Sequence, residues 1–274
     1  MIQLTHLSKR FGDKIAVNDL NMILEPGKVM GLIGQNGAGK TTTFRMILNF
    51  IVPTSGTITW DNRPITQKDK QKIGFLPEER GLYQKLTIEE QILYFAELHG
   101  MSRADAKSEL THWLKRLDVV GKASDKVQSL SKGNAQKVQM IASLIFKPEF
   151  IILDEPFSGL DPVNTSIMMS EIMRMRDQGA MIIFSSHDMN NVTKISDNLT
   201  MLKQGKSILQ GGVQEIREQF GRTKVYIEGP FSREELAHLP GVINVIPQGA
   251  GFDLTITEDH VGHDIFTYVT KNGY

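Results

Sequence analysis

The sequence predicts an α/β fold with a mixed sheet at its core, because short apolar runs alternate with helical segments. Three of these runs, at 28–34, 150–156 and 180–188, are typical of strands buried on both faces. The first leads through a glycine-rich turn into a helix-forming segment. A stretch of helical periodicity at about 85–147 predicts a helical subdomain, and residues 221–274 predict a small α+β domain.

The N-terminal segment, residues 2–30, alternates apolar and polar residues and has turn signals at 12–13 and 26–27. This pattern predicts an antiparallel β subdomain. The next segment, 41–50, has the composition and spacing of a helix. Residues 56–76 predict a return to strands.

Three helices are predicted within the helical subdomain, at 88–100, 103–120 and 132–146, because apolar residues recur there every three or four positions. Gly100 and Gly121 are typical helix stops. The region therefore contrasts with the strand-rich segments on either side.

The character of the sequence changes near Gly221, which predicts a boundary between a domain at 1–220 and one at 221–274. Three alternating runs predict strands and the final residues predict a helix: KVYIEG, VINVIP, GFDLTITE and HDIFTYVTKNGY. The chain stops just after Asn272 and Gly273, a helix-ending signal. We expect this domain to be incomplete, with a further strand or helix beyond that point.

Composition narrows the possible functions. The 274 residues carry 31 Lys and Arg against 31 Asp and Glu, and this balance argues against a general attraction to nucleic acid. The absence of cysteine excludes disulfides and thiolate metal sites. No signal-peptide layout and no apolar run near 18 residues is present, so we expect a cytoplasmic chain that reaches a membrane through a partner.

GQNGAGKT, residues 34–41, matches the phosphate-binding pattern G-x-x-x-x-G-K-[ST] between a strand and a helix. Glycines let backbone N–H groups turn inward, and the helix N-terminus adds partial positive charge. Lys40 is expected to reach the β- and γ-phosphates, and Thr41 to ligate Mg²⁺. The alternative is a glycine-rich turn that matches by accident. The candidate nucleotide-binding residues of this loop are Gly34, Asn36, Gly37, Ala38, Gly39, Lys40, Thr41 and Thr42.

Two other buried strands end in polar residues. Asp154 and Glu155 follow one strand, where Asp154 is expected to hold Mg²⁺ through water and Glu155 to polarise the attacking water. His187 follows the other strand and is expected to contact the γ-phosphate. Each could instead be a solvated strand end. If the strands are parallel, their ends bring Lys40, Glu155 and His187 together.

LSKGN, residues 130–134, begins a predicted helix about twenty residues before Asp154. It resembles the LSGGQ signature motif of ATP-binding cassette (ABC) proteins. The order of phosphate loop, helical insertion, signature, acidic strand, SGLD (158–161) and His187 is similar to an ABC nucleotide-binding domain throughout residues 1–220. The resemblance implies an ABC-type P-loop NTPase that binds and hydrolyses ATP with Mg²⁺.

The family resemblance implies further roles. Phe11 occupies the position of an aromatic that stacks on adenine, and its alternative is an ordinary core residue. Ser131 and Gly133 correspond to residues that touch the γ-phosphate bound by a second copy, although they also suit a helix cap and turn. Asp161 corresponds to a residue that communicates across the dimer, and with Pro162 it also suits a helix start. One phosphate loop and one signature per chain imply two nucleotide-binding domains facing head to tail, as a homodimer.

The stretch IGFLPEERG, residues 73–81, places Glu78 where the family has a glutamine that contacts Mg²⁺ or the attacking water. A carboxylate is a good ligand for a hard cation, but it adds negative charge near the phosphates. The signature also departs from the family, with Lys132 in place of a glycine. Our hypothesis is that Lys132 of the opposing subunit compensates Glu78; the alternative is that Lys132 points to solvent.

The PEERG run (77–81), LSKGN and the C-terminal domain resemble the ATPases of bacterial ABC exporters of the sodium-extrusion group. This resemblance implies an ATP-hydrolysing subunit at the inner face of the cell membrane, coupled to a separate integral membrane permease. One alternative is a soluble ABC ATPase acting on ribosomes or DNA, but such proteins usually have two cassettes, a coiled coil or zinc cysteines. The other is a regulatory protein that binds ATP without turnover.

Overall fold

The computed structural model of the chain describes residues 1–79, 81–220 and 224–271. In chain order, the described strands are β1 (Ile2–Phe11), β2 (Lys14–Leu24), β3 (Val29–Ile33), β4 (Ser55–Trp60), β5 (Arg63–Pro64), β6 (Ile73–Leu76), β7 (Phe150–Leu153), β8 (Met181–Ser186), β9 (Asn198–Lys203), β10 (Lys206–Gly212), β11 (Lys224–Glu228), β12 (Val242–Gln248) and β13 (Gly251–Ile256).

The described α-helices lie between these strands and after the last of them. They are α1 (Lys40–Ile47), α2 (Gln67–Lys70), α3 (Ile88–Leu98), α4 (Arg103–Arg116), α5 (Lys132–Leu144), α6 (Pro162–Asp177), α7 (Met189–Ile195), α8 (Val213–Phe220), α9 (Arg233–Ala237) and α10 (Asp259–Lys271). None of those within the described ranges combines the length and apolar character needed to cross a bilayer.

Strands β1 to β10 form two sheets. The four-stranded sheet has the order β2-β1-β4-β5, and its neighbouring strands pair antiparallel. The antiparallel prediction for the N-terminal segment therefore holds for β1 and β2. Its last residues, Val29 and Met30, belong instead to β3, which pairs in parallel with β8 and β9.

The six-stranded sheet has the order β10-β9-β3-β8-β7-β6 and contains the three predicted apolar strands. Strands β9, β3, β8, β7 and β6 run parallel. All residues of β3, β7 and β8 are buried, as expected for strands covered on both faces. Because parallel strands end at the same edge, the segments that follow β3, β6, β7 and β8 meet there.

Helices α3, α4 and α5 fall at the three positions predicted for the helical subdomain, with bounds within a few residues of the prediction. Residues 189–220 carry no element predicted from the sequence, and there the structure has α7, β9, β10 and α8. Short elements of mixed composition carry a weak periodic signal, which explains this omission.

The chain divides into two compact units at Gly211, whereas composition predicted the boundary at residue 220. In the second unit, β11, β13 and β12 form an antiparallel sheet. Eight buried apolar residues form its core: Ile227, Phe231, Leu236, Val245, Leu254, Ile256, Val261 and Ile265. The predicted C-terminal helix is α10, which ends at Lys271; residues 272–274 lie outside the described part of the chain.

The buried carboxylate of Asp69 stabilises the start of α2. It accepts hydrogen bonds from the backbone and hydroxyl of Thr66 and from both guanidinium nitrogens of Arg63, at 2.6–2.9 Å. The Arg63 bonds, followed by those from Thr66, hold the pKa of Asp69 well below its usual range. The ionised form therefore stabilises the fold above the ordinary Asp pKa.

We expect Asp69→Asn to lower the free energy of unfolding at pH 7 by about 2 kcal/mol, because charge-assisted bonds and a capping partner are lost. Arg63 is half-exposed, so solvent screens its share. The difference from the parent should shrink as pH falls below about 4, where the unfolded carboxyl becomes protonated. Urea titrations at several pH values would measure it. Asp177→Asn, which changes an exposed carboxylate paired with Arg176, is the control, and an equal loss there would contradict the prediction.

Candidate functional site

The phosphate-binding loop lies between β3 and α1, as the motif requires. Gly39, the residue before α1, has φ 112°, a conformation that favours glycine. A Cβ at this position would lie 2.5 Å from the carbonyl oxygen of Ala16, so a side chain would collide with the backbone. Lys40 folds back over the loop and donates to the carbonyl of Gly34 at 2.6 Å. The result is a glycine-containing turn that leads into the N-terminus of α1, and a helix N-terminus attracts anions.

A cavity of about 400 Å³ opens at this loop and at the sheet edge. Its lining contains most of the sequence-predicted site residues and also Lys14 and Ala16, which the sequence analysis did not single out. The described lining residues are Phe11, Lys14, Ala16, Asn36, Gly37, Ala38, Gly39, Lys40, Thr41, Thr42, Glu78, Asp154 and Glu155.

Asp154 is buried and held on both of its oxygens. Thr41 Oγ1 donates to Oδ2 at 2.9 Å, and Ser185 Oγ donates to Oδ1 at 2.6 Å. The Ser185 hydroxyl also accepts the backbone N–H of Glu155 at 2.8 Å. Ser185 thus fixes both acidic residues from β8. The sequence analysis missed it, although two serines at the end of a strand that is otherwise apolar were a usable signal.

Glu155 lies between Lys40 and His187. Its Oε1 is 3.6 Å from Lys40 Nζ, and its Oε2 is 3.0 Å from Nδ1 of His187. The structure therefore brings together the three groups that parallel strands were expected to bring together. The residue is 7% exposed, and Oε1 has no hydrogen-bond partner among the described residues. Its φ of 49° is a strained value for a residue with a Cβ, and such strain is concentrated at functional sites.

Two further candidates reach the cavity from its sides. Glu78 follows β6, which pairs with β7, and lines the cavity although it is exposed. Arg80, in the same run, lies outside the described residues. Phe11 is half-exposed at the end of β1, with Lys9 Nζ 5.0 Å from its ring centroid. A half-exposed ring is available for stacking, so Phe11 is not an ordinary core residue.

The signature residues Ser131 and Gly133 are not among the described residues that line this cavity. Ser131 caps α5 by accepting the backbone N–H of Asn134 at 3.3 Å. Asp161 caps α6 by accepting the backbone N–H of Asn164 at 2.8 Å, and this bond lowers the pKa of Asp161. Ser131 and Asp161 therefore cap helices, as one interpretation of each predicted. A cap residue at a helix start can also contact a second copy of the chain.

Lys132 is exposed, and its tip lies against Gly159 of the same chain. A Cβ built on Gly159 would come within 2.5 Å of Lys132 Nζ. In the single chain, the ammonium therefore touches the segment before Asp161.

Comparisons with known proteins agree with this geometry. Residues 17–158 match the ABC transporter family, and residues 211–274 match the C-terminal domain of the DrrA1-3-like ATP-binding proteins. The ABC transporter ATP-binding protein YhaQ of Bacillus subtilis is 40% identical over 274 residues, covering 100% of this chain and 92% of YhaQ.

Two other comparisons extend this result. The Nod factor export ATP-binding protein I of Burkholderia lata is 32% identical over 233 residues, covering 84% of this chain and 77% of that protein. A solved ATP-binding subunit of an ABC transporter superposes with a TM-score of 0.74 at 28% identity, covering 80% of this chain and 93% of that one.

These matches confirm the family resemblance, the predicted ABC-type fold and the ATPase activity that the resemblance implied. The chain belongs to the ABC transporter ATP-binding proteins and is an ABC-type ATPase with a DrrA1-3-like C-terminal domain.

Proposed function

We propose that this ATPase powers a bacterial exporter, coupling ATP-driven closure of a dimer to a separate integral membrane subunit. The observation that carries the coupling proposal is an apolar groove of about 370 Å³ beside the segment that contains Glu78. Four phenylalanines line it, and one of them, Phe50, is 65% exposed. Its described lining residues are Leu48, Phe50, Lys70, Ile73, Phe75, Pro77, Gly81, Leu82, Phe95, His99, Gln139, Ala142, Ser143 and Phe146.

The occupant that we assign to this groove is a cytoplasmic segment of the membrane subunit. An apolar groove with aromatic walls suits the apolar face of a short helix. The family of the chain is that of transporter subunits, and no described helix could itself cross a bilayer. This assignment makes the protein cytoplasmic and peripheral on the inner face of the membrane.

A head-to-tail homodimer would complete the ATP site. The cavity contains the phosphate loop and the acidic residues, but its described lining includes neither Ser131 nor Gly133. If the opposing copy supplies these two residues, each nucleotide is enclosed between two chains. Asp161, at the start of α6, would then lie at the contact between the copies.

The residues around the cavity fit ATP with Mg²⁺. Thr41, Asp154 and Glu78 offer the oxygen ligands that Mg²⁺ prefers, and the ion would neutralise charge on the phosphates. Lys40 would leave its contact with the Gly34 carbonyl and bind the β- and γ-phosphates. The unpartnered Oε1 of Glu155 would then orient and polarise the attacking water. In this scheme Phe11 stacks on the adenine.

His187 has a positioning and a binding role in this scheme. Its Nδ1 is 3.0 Å from Glu155, and its side chain is 64% exposed, so the other ring nitrogen is available for the γ-phosphate. Phosphoryl transfer needs positioning and charge stabilisation more than covalent chemistry. Export as the direction of transport is supported by the name of the Nod factor export relative.

Co-purification from native membranes would test this function. A tagged full chain carrying Glu155→Gln should retain ATP and recover a stoichiometric membrane protein with several spans. Recovery should fall when Phe50 and Phe75 in the groove are both replaced by serine. A soluble dimer without a membrane protein, or with ribosomes or DNA, would contradict the transport proposal and leave the ATP chemistry intact.

The hypothesis that Lys132 compensates Glu78 across the dimer predicts energetic coupling. We expect the combined effect of Glu78→Gln and Lys132→Gly on the ATPase rate to differ from the product of the single effects by about 3-fold or more. Glu79→Gln combined with Lys132→Gly is the control pair, because Glu79 is exposed and is not among the described lining residues of the cavity. The effects of these two changes should multiply. If the rate effects of Glu78→Gln and Lys132→Gly simply multiply, the hypothesis is wrong. Lys132 would then have only its contact with Gly159 to explain its position.

A further inference from the structure

Gln139 is a buried glutamine on α5, the helix that begins at the signature segment. Its side chain amide donates to the carbonyl oxygens of Pro77 and Glu79, at 3.2 and 3.3 Å. These carbonyls belong to the residues on either side of Glu78. We propose that Gln139 is a positioning residue that holds the Glu78 carboxylate at the phosphate cavity. This inference rests on the role proposed above for Glu78.

The chemistry of the amide suits this task. It has two N–H donors, one for each carbonyl, and an apolar side chain of the same size would have none. Gln139 is 3% exposed, and its Oε1 is buried without a hydrogen-bond partner among the described residues. An amide at this position costs free energy, because its oxygen is buried without a hydrogen-bond donor. The two bonds to the carbonyls give the physical reason for keeping a buried amide at this position of α5.

Residues 77–79, which contain Glu78, follow the last residue of β6 without helix or strand structure, so they need support from hydrogen bonds to other elements. At one end, the Leu76 carbonyl accepts the backbone N–H of Asp154 at 2.8 Å. At the other end, the backbone N–H of Tyr83 donates to Gln91 at 2.8 Å. Between these anchors, Gln139 binds the carbonyls of Pro77 and Glu79, and Gln84 Nε2 binds the carbonyl of Leu82 at 3.2 Å. Fixing the carbonyls on both sides of Glu78 fixes the direction in which its side chain leaves the backbone.

Gln139 also lines the apolar groove assigned above to the membrane subunit. One turn further along α5, Ser143 donates to the Phe75 carbonyl at 2.8 Å and lines the same groove. An occupant of the groove would therefore contact the residue that orients Glu78. Ser131 caps the start of the same helix. Helix α5 therefore connects the signature segment, the groove and the side chain that binds the carbonyls beside Glu78.

The test is a double-mutant cycle on the full chain with Gln139→Met and Glu78→Gln. We expect Gln139→Met to lower kcat by about 10-fold, since small losses of alignment at a reacting centre have large effects on rate. KM for ATP should stay within about 2-fold, because the phosphate loop is untouched. Lys137→Met is the matched control: it removes a bond from a buried side chain of the same helix to the carbonyl of Asp118, which is not part of the Glu78 segment, and kcat should stay within about 2-fold.

A second readout does not depend on turnover. In the Glu155→Gln background, Gln139→Met should raise by about 5-fold the Mg²⁺ concentration needed for half-maximal binding of a fluorescent ATP analogue. Hydrogen exchange at the amides of Glu78 and Glu79 should become faster, while exchange within β7 stays the same. Gln139→Glu, which has the same size but no donor when ionised, should reproduce these effects if the methionine variant does not fold.

Each outcome has a distinct meaning. Loss of the Gln139→Met effect in the Glu78→Gln background would support the inference. An equal effect in both backgrounds would overturn it, because Gln139 would then act through another group. If Glu78→Gln changes the rate and Gln139→Met does not, the inference alone fails. If Glu78→Gln changes neither rate nor Mg²⁺ dependence, the proposed role of Glu78 fails and the inference fails with it.

Discussion

Glu155→Gln should lower the rate of ATP hydrolysis by about 100- to 10,000-fold, the range typical for removing a group that activates the attacking water. The substitution keeps the size of the side chain and the oxygen available to His187 Nδ1. It removes the negative charge from a carboxylate at the cavity whose buried Oε1 has no hydrogen-bond partner among the described residues. ATP binding should persist, because the phosphate loop is intact.

Single-turnover hydrolysis and equilibrium binding of a fluorescent ATP analogue would measure the two effects separately. Glu149→Gln is a matched control. Glu149 lies just before β7, the strand that Glu155 follows, but it is exposed and paired with Lys72. Its rate should stay within about 2-fold of the parent. Hydrolysis in the Glu155 variant at more than a tenth of the parental rate would show that another group activates the water.

Lys40→Met should weaken ATP binding by about 100-fold, because charge-assisted contacts to the phosphates contribute about 1.5–3 kcal/mol each. The Lys40 side chain is 7% exposed, and its Nζ now contacts Gly34 and Glu155. Methionine keeps most of the packing and removes the charge.

Isothermal titration with ATP and Mg²⁺ would measure the loss. Lys14→Met is the comparison, because Lys14 lines the same cavity but is exposed at its rim, where solvent screens its charge. We expect a change of about 3-fold or less for Lys14. Equal losses for the two lysines would indicate a general electrostatic attraction instead of a specific phosphate contact.

Some of the site could be predicted from the sequence because its parts are contiguous. The loop at 34–41 combines its glycines, Lys40 and Thr41 within eight residues, and the strand before it and the helix after it are local patterns as well. The acidic pair and His187 were predicted to meet Lys40 because buried parallel strands share an edge. The structure has these contacts, with Glu155 between Lys40 and His187.

Other features could not be predicted, because they depend on residues far apart in the chain. Ser185 binds Asp154 across 31 positions, and Gln139 binds the Pro77 carbonyl across 62. Neither residue type is specific enough to mark a site by itself. The boundary at Gly211 was also missed, because the segment around it, 189–220, has no strong periodicity.

The family, the fold class and the position of the phosphate loop could be read from the sequence, since the order of the motifs, the alternation of apolar runs with helical segments and the pattern at 34–41 are all visible in it. The surroundings of the acidic residues, the contact of Lys132 and the side chain that binds the carbonyls beside Glu78 became known from the tertiary structure. These depend on which strands are neighbours and on which side chains face one another across the sheet edge. The strained φ of Glu155 also depends on tertiary structure. The surrounding packing and the hydrogen bond from its N–H to Ser185 hold this residue in place.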